Sequence, residues 1–228
     1  MDSFSDALSY PMEREEWYMI VLIGGVLSLL AFLILPILIV NGYVVRVIRF
    51  RLAGDPEPPA FEEWGTLLVD GIQVLIISIA YMLVPLIVAG ITVGGSILAL
   101  ATRTDAGNVA ALAGAFGGLS ITFLLVLVFG YVAVVAIMNF AREEDLGAAF
   151  SFDTIRDVAL NAEYAVAFGI SILVFIGASV ISGVLNVVPL LGAILSAFVF
   201  FYAEMVAAYL WADGFAEATG VETPSPTP

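Results

Sequence analysis

The chain has 228 residues, 62% of them apolar, with 21 acidic residues against 7 basic ones, every base an arginine, and neither Cys nor His. Soluble domains use about 45–50% apolar residues, so the excess here points to lipid as the solvent. The missing Cys and His remove disulfides, thiolate and imidazole catalysis and the usual zinc, haem and iron–sulfur ligand sets, and the formal net charge of -14 argues against nucleic-acid binding.

Residues 1–16 carry several acids and Arg14 as their only base, so the basic start of a cleavable signal peptide is lacking; the first apolar run reads as retained and residues 1–16 as a cytoplasmic N-terminal elbow. Long apolar runs follow over residues 17–45, 72–101, 109–138, 164–185 and 190–203. About 20 apolar residues in a helix cross the roughly 30 Å hydrocarbon layer, and only helices satisfy their backbone there without a closed barrel. The fold expected is therefore an all-α integral membrane protein, with residues 17–212 as one membrane domain.

Three stretches resemble one another and divide that domain into repeat units of about 4–54, 61–141 and 150–212. Each opens on a short amphipathic segment led by Phe. Phe61, Trp64, Leu67 and Leu68 share one helical face opposite Glu62 and Glu63, and Phe152, Ile155, Val158 and Ala159 repeat the spacing; Phe4 to Leu8 is a weaker copy. Such a segment lies in the bilayer interface as an elbow before the chain turns inward. With Pro36 breaking the first run, each unit is an elbow plus a helical hairpin, giving six membrane segments. The arginines then divide six to one, Arg103 alone lying opposite, and the positive-inside rule makes the charged side cytoplasmic. In the alternative, five transmembrane helices with residues 17–40 crossing once, the arginines divide five to two. Residues 213–228 read as a disordered acidic and Pro-rich tail.

Gly90 and Gly94, and Gly114 and Gly118, are GxxxG pairs flanking the polar turn at 102–108. They are expected to pack two helices of one molecule together, or otherwise two copies of the chain. Glu204 is the one ionisable residue well inside a spanning run. It is expected to pair with Arg46, or with Arg49 one turn along, at equivalent depth in the repeat; the alternatives are an interfacial acid and a transport or proton-relay acid. The clusters Glu13, Glu15, Glu16 and Glu143, Glu144, Asp145 lack the glycine-bearing loop of a dedicated cation site and read as solvated faces. No catalytic residue, metal site or cofactor is assigned.

Gly42-Tyr-Val-Val-Arg-Val-Ile-Arg-Phe, followed by Gly54, Pro58-Pro-Ala-Phe61, Trp64 and Asp70-Gly71, resembles an uncharacterised archaeal membrane family, domain of unknown function 4013. The resemblance implies a multi-helix membrane domain with no assigned activity. The elbow-plus-hairpin repeat is also similar to the membrane domains attached to some glycerophosphodiesterases, without a shared catalytic motif. The acidic, lysine-free surface suggests a halophile, because molar salt shortens the Debye length to about 3 Å and screens the carboxylates. The expected function is a non-enzymatic scaffold or assembly partner in the cell membrane, binding a membrane or cytoplasmic protein or a further copy of itself; the alternative is a small transporter or channel.

Overall fold

The computed structural model describes residues 2–221, and among them every regular element is helical. The α-helices are α1 (Asp2–Ser9), α2 (Trp17–Leu29), α3 (Ile34–Leu52), α4 (Trp64–Ala101), α5 (Asp105–Glu143), α6 (Phe152–Ala159), α7 (Ala162–Leu185) and α8 (Pro189–Thr219). Four of them, α4, α5, α7 and α8, are long and apolar enough to cross a membrane. The chain divides into two units, residues 1–75 with 135–228, and residues 76–134.

In the first unit the run 17–45 is broken as expected, but at residues 30–33, ahead of Pro36. The chain leaves α2 at Leu30 and turns back through Leu33, whose extended backbone (φ -91°, ψ 138°) starts α3. Pro36 sits in the first turn of α3, where no amide proton is required of it. No single helix runs through residues 17–40. The hairpin lies on α8: Gly24 and Gly25 leave room for the rings of Phe201 and Phe198, so α2 and α8 run antiparallel. Its tip is apolar and bare, with Phe32 80% exposed.

Two of the three expected elbows fall on separate short helices, α1 and α6. In α6 Ile155 and Val158 turn inward while Phe152 is 85% exposed, the arrangement an interfacial helix needs. The second expected elbow is not a separate element. Residues 61–63 are irregular and the remainder is the first turns of α4, because Leu67 and Gly71 pack against α3 and hold the helix straight into its span. The close approach is reciprocal: a Cβ on Gly42 would strike the Leu67 carbonyl, and one on Gly71 the Leu38 carbonyl. The tail also begins later than expected. Residues 213–219 are the last turns of α8, closed by Gly220 at φ 68°, since Gly214, Phe215 and Ala216 are buried. Residues 222–228 of the predicted tail lie outside the described residues.

The second unit is an antiparallel pair formed by the distal parts of α4 and α5. Gly114 faces Ser96 and Gly118 faces Thr92, so these two glycines do pack helix on helix. Gly90 and Gly94 do not: a Cβ on either meets nothing within 4 Å. The role expected of them falls to Thr92 and Ser96, whose hydroxyls bond back to their own helix and so present little polarity to the neighbour.

Candidate functional site

The polar chemistry of the first unit is concentrated on the C-terminal half of α3. Arg46, Arg49 and Arg51 fall at helical angles that aim them at three different neighbours. Arg46 donates to the Glu62 carbonyl at 2.6 Å and to Glu63 Oε2 at 3.2 Å. The Glu63 side chain is 73% exposed, so that pair is mostly a contact made in water.

The Arg49 pair is better enclosed, because its carboxylate partner is buried. Its two terminal nitrogens meet both Asp70 oxygens, at 2.5 and 3.1 Å, and its Nε donates to the Ala141 carbonyl at 3.2 Å. The guanidinium carbon also lies 5.6 Å from the Phe140 ring centre. Arg51 makes a second bidentate pair, Nε to Asp213 Oδ1 at 2.7 Å and Nη2 to Oδ2 at 3.3 Å, with its guanidinium 4.2 Å over the Tyr209 ring. Planar forks of this kind fix orientation as well as charge. α3 is thereby tied to α4, α5 and α8.

The surrounding loop is held to the same assembly. Tyr43 donates its hydroxyl to the Pro59 carbonyl at 2.9 Å and stacks on Phe61, ring centres 4.0 Å apart. Arg14 donates to the Pro58 carbonyl at 3.3 Å. Tyr10 packs against Tyr209 at 5.0 Å, and burial pushes its phenol above its usual range. Asp55-Pro-Glu-Pro-Pro59 is thus a strap across the charged end of α3, stiffened by its three prolines.

The pair expected between Glu204 and Arg46 or Arg49 is not formed. Both arginines are taken by carboxylates of residues 63–70, nearer along the chain. At that depth α8 turns Phe201 toward Tyr43, ring centres 5.8 Å apart. Glu204, three residues on, instead lines a cavity of about 240 Å³ with Ser28, Ala31, Ile37, Val40, Asn41, Phe200 and Phe201. Among the described residues no arginine pairs with it. The sequence did not single out Asp70 and Asp213 as partners; only the helical phase of α3 combined with knowledge of its neighbours reveals them.

With four arginines turned inward, the charged end shows acids to solvent. Glu13, Glu15, Glu16, Asp55, Glu57, Glu62 and Glu63 are exposed, as are Glu143, Glu144, Asp145, Asp153 and Asp157. Asp145 accepts from the Gly147 amide at 3.2 Å and starts the turn that follows α5. Among the described residues no group of three or more acids is placed to hold a metal ion.

A family model described as "Protein of unknown function (DUF4013)" matches residues 25–187, well over half of the chain. No curated protein and no solved structure matches it.

Proposed function

The chain belongs to the DUF4013 family of proteins of unknown function, and from that premise we propose that it is a multi-pass protein of the cell membrane acting as a non-enzymatic scaffold. The observation that supports this is the division of charge at one end of the first unit. Arg14, Arg46, Arg49 and Arg51 bond inside the molecule, with Asp70 and Asp213 enclosed beside them, while Glu13, Glu15, Glu16, Asp55, Glu57, Glu62 and Glu63 are exposed. Such an arrangement gives a stiff platform with an acidic rim, suited to a basic protein surface.

We take the charged end as cytoplasmic and the membrane segments as six, the first two forming a hairpin that enters and leaves on that side. α2 has 13 residues, about 20 Å of helix against a hydrocarbon layer of about 30 Å. From Gly24, level with Phe201, α2 continues five residues while α8 extends twelve toward Pro189, so the hairpin stops about 10 Å short of the start of α8. We extend the proposal to a halophilic archaeal source, on the acidic, lysine-free composition. The cavity beside Glu204 favours the second reading, a small transporter.

Affinity purification from the native membrane tests the scaffold. The expected result is a stoichiometric protein partner that is lost when Glu143, Glu144 and Asp145 are replaced by Lys. A solitary protein that conducts an ion or solute in lipid vesicles would overturn the scaffold and install the transporter.

A further inference from the structure

We propose that the cavity between the α2–α3 hairpin and α8 binds a monovalent metal cation, with Glu204 as its charged ligand. This goes beyond the scaffold reading, which makes no use of the cavity. Its volume is about 240 Å³ and its polar side chains are Ser28, Asn41 and Glu204, among apolar ones. Asn41 donates its amide nitrogen to the Ile37 carbonyl at 2.8 Å, which leaves its side-chain oxygen as the end still able to accept. Ser28 adds a hydroxyl oxygen, and Glu204 two carboxylate oxygens with no arginine beside them among the described residues. All the ligands on offer are oxygens, the preference of hard cations.

The charge of the site sets the charge of the ion. One carboxylate in apolar surroundings is costly while uncompensated. A single positive charge neutralises it, whereas a divalent ion would leave an excess of one. Helix α2 ends at Leu29, and Ser28 and Ala31 line the cavity, so the negative end of the α2 dipole also faces the site. A cation here would join α2, α3 and α8 beneath the exposed tip of the hairpin.

The test is thermal unfolding of the purified full chain in detergent at fixed pH and ionic strength, with N-methylglucamine chloride exchanged for sodium or potassium chloride. The expected result is a saturable rise in Tm with one of the two metal ions, as for any ligand of the folded state. Glu204→Gln should abolish that rise, and Asn41→Ala should weaken the apparent affinity about tenfold, as for loss of one bond to a charged group. A Tm that follows ionic strength alone, or an equal cation response in Glu204→Gln, overturns the proposal. Should the variant fail to fold, infrared difference spectra of the wild-type chain between sodium, potassium and N-methylglucamine decide. Shifted carboxylate bands with either metal support the site, and a carboxylic acid that stays protonated in all three salts overturns it. Partner capture from the membrane is independent of these outcomes, so the scaffold and the cation site fail separately.

Discussion

Replacing Arg49 by Gln removes the cation from Asp70, whose side chain is only 6% exposed, and takes away the Nε bond to the Ala141 carbonyl as well. Breaking one side of a buried pair costs about 3–5 kcal/mol because the other charge is left uncompensated. For a chain of this size about 1 kcal/mol moves Tm by roughly 2–4 °C, so Arg49→Gln should lower Tm by about 6–20 °C. Arg142→Gln serves as the control. Its partner Glu143 is 51% exposed at 3.4 Å, and an exposed pair contributes about 0–1 kcal/mol. Thermal unfolding in detergent, followed by fluorescence of the three tryptophans, reads both. The double variant Arg49→Gln with Asp70→Asn should lose less than the sum of the singles, with a coupling of about 0.5–3 kcal/mol. An Arg49→Gln protein no less stable than Arg142→Gln, or strictly additive losses, would refute the claim that this fork holds α3 to α4.

Gly42→Ala and Gly71→Ala should each destabilise more than Gly90→Ala or Gly94→Ala in the same unfolding assay. The first two would drive a methyl group into a backbone carbonyl and the last two meet open space. Single cysteines at Ser5 and Ser151 should resist a membrane-impermeant maleimide in intact cells while one at Ala106 reacts, and one at Phe32 should be shielded from both sides; labelling at Ser5 together with Ala106 would refute the six-segment arrangement. Lowering salt from molar to about 0.1 M, where the Debye length reaches about 10 Å, should lower Tm as the exposed carboxylates repel one another, and an unchanged Tm would count against salt adaptation.

The long helices were legible because lipid selects for uninterrupted apolar runs, and α7 and α8 separate where Asn186 and Pro189 interrupt them. Local signals failed where tertiary packing decided. The amphipathic pattern at 61–68 is real, yet Phe61 and Leu67 turn inward onto α3 and the tyrosine strap rather than into an interface. The repeat placed Glu204 and Arg46 at similar depth, but depth is one coordinate and the direction around the helix axis is another. Arg46 faces Glu62 and Glu63, and Glu204 the hairpin cavity. Glycine spacing identified a true contact at Gly114 and Gly118 but paired it with the wrong residues of α4. The tightest backbone approach, between Gly42 and Gly71 and the carbonyls opposite, has no spacing signature because each glycine lies on a different helix.

Helix length explains why the arginine pairs are tolerable in a chain this apolar. α4 has 38 residues and α5 has 39, about 57 Å of helix each, well beyond a hydrocarbon layer of about 30 Å. The second unit takes residues 76–101 of α4, about 39 Å, and that alone suffices for a crossing. The first turns of α4 with Asp70, and the last turns of α5 with Phe140 and Ala141, belong to the other unit, beyond the stretch a crossing requires. Asp70 thus lies outside the stretch of α4 that a crossing requires, and the two bonds of the Arg49 fork offset the cost of burying both charges there. Glu204 has no such relief from an arginine. It lines the hairpin cavity with Ser28 and Asn41, and the cation proposed above would be its counter-charge.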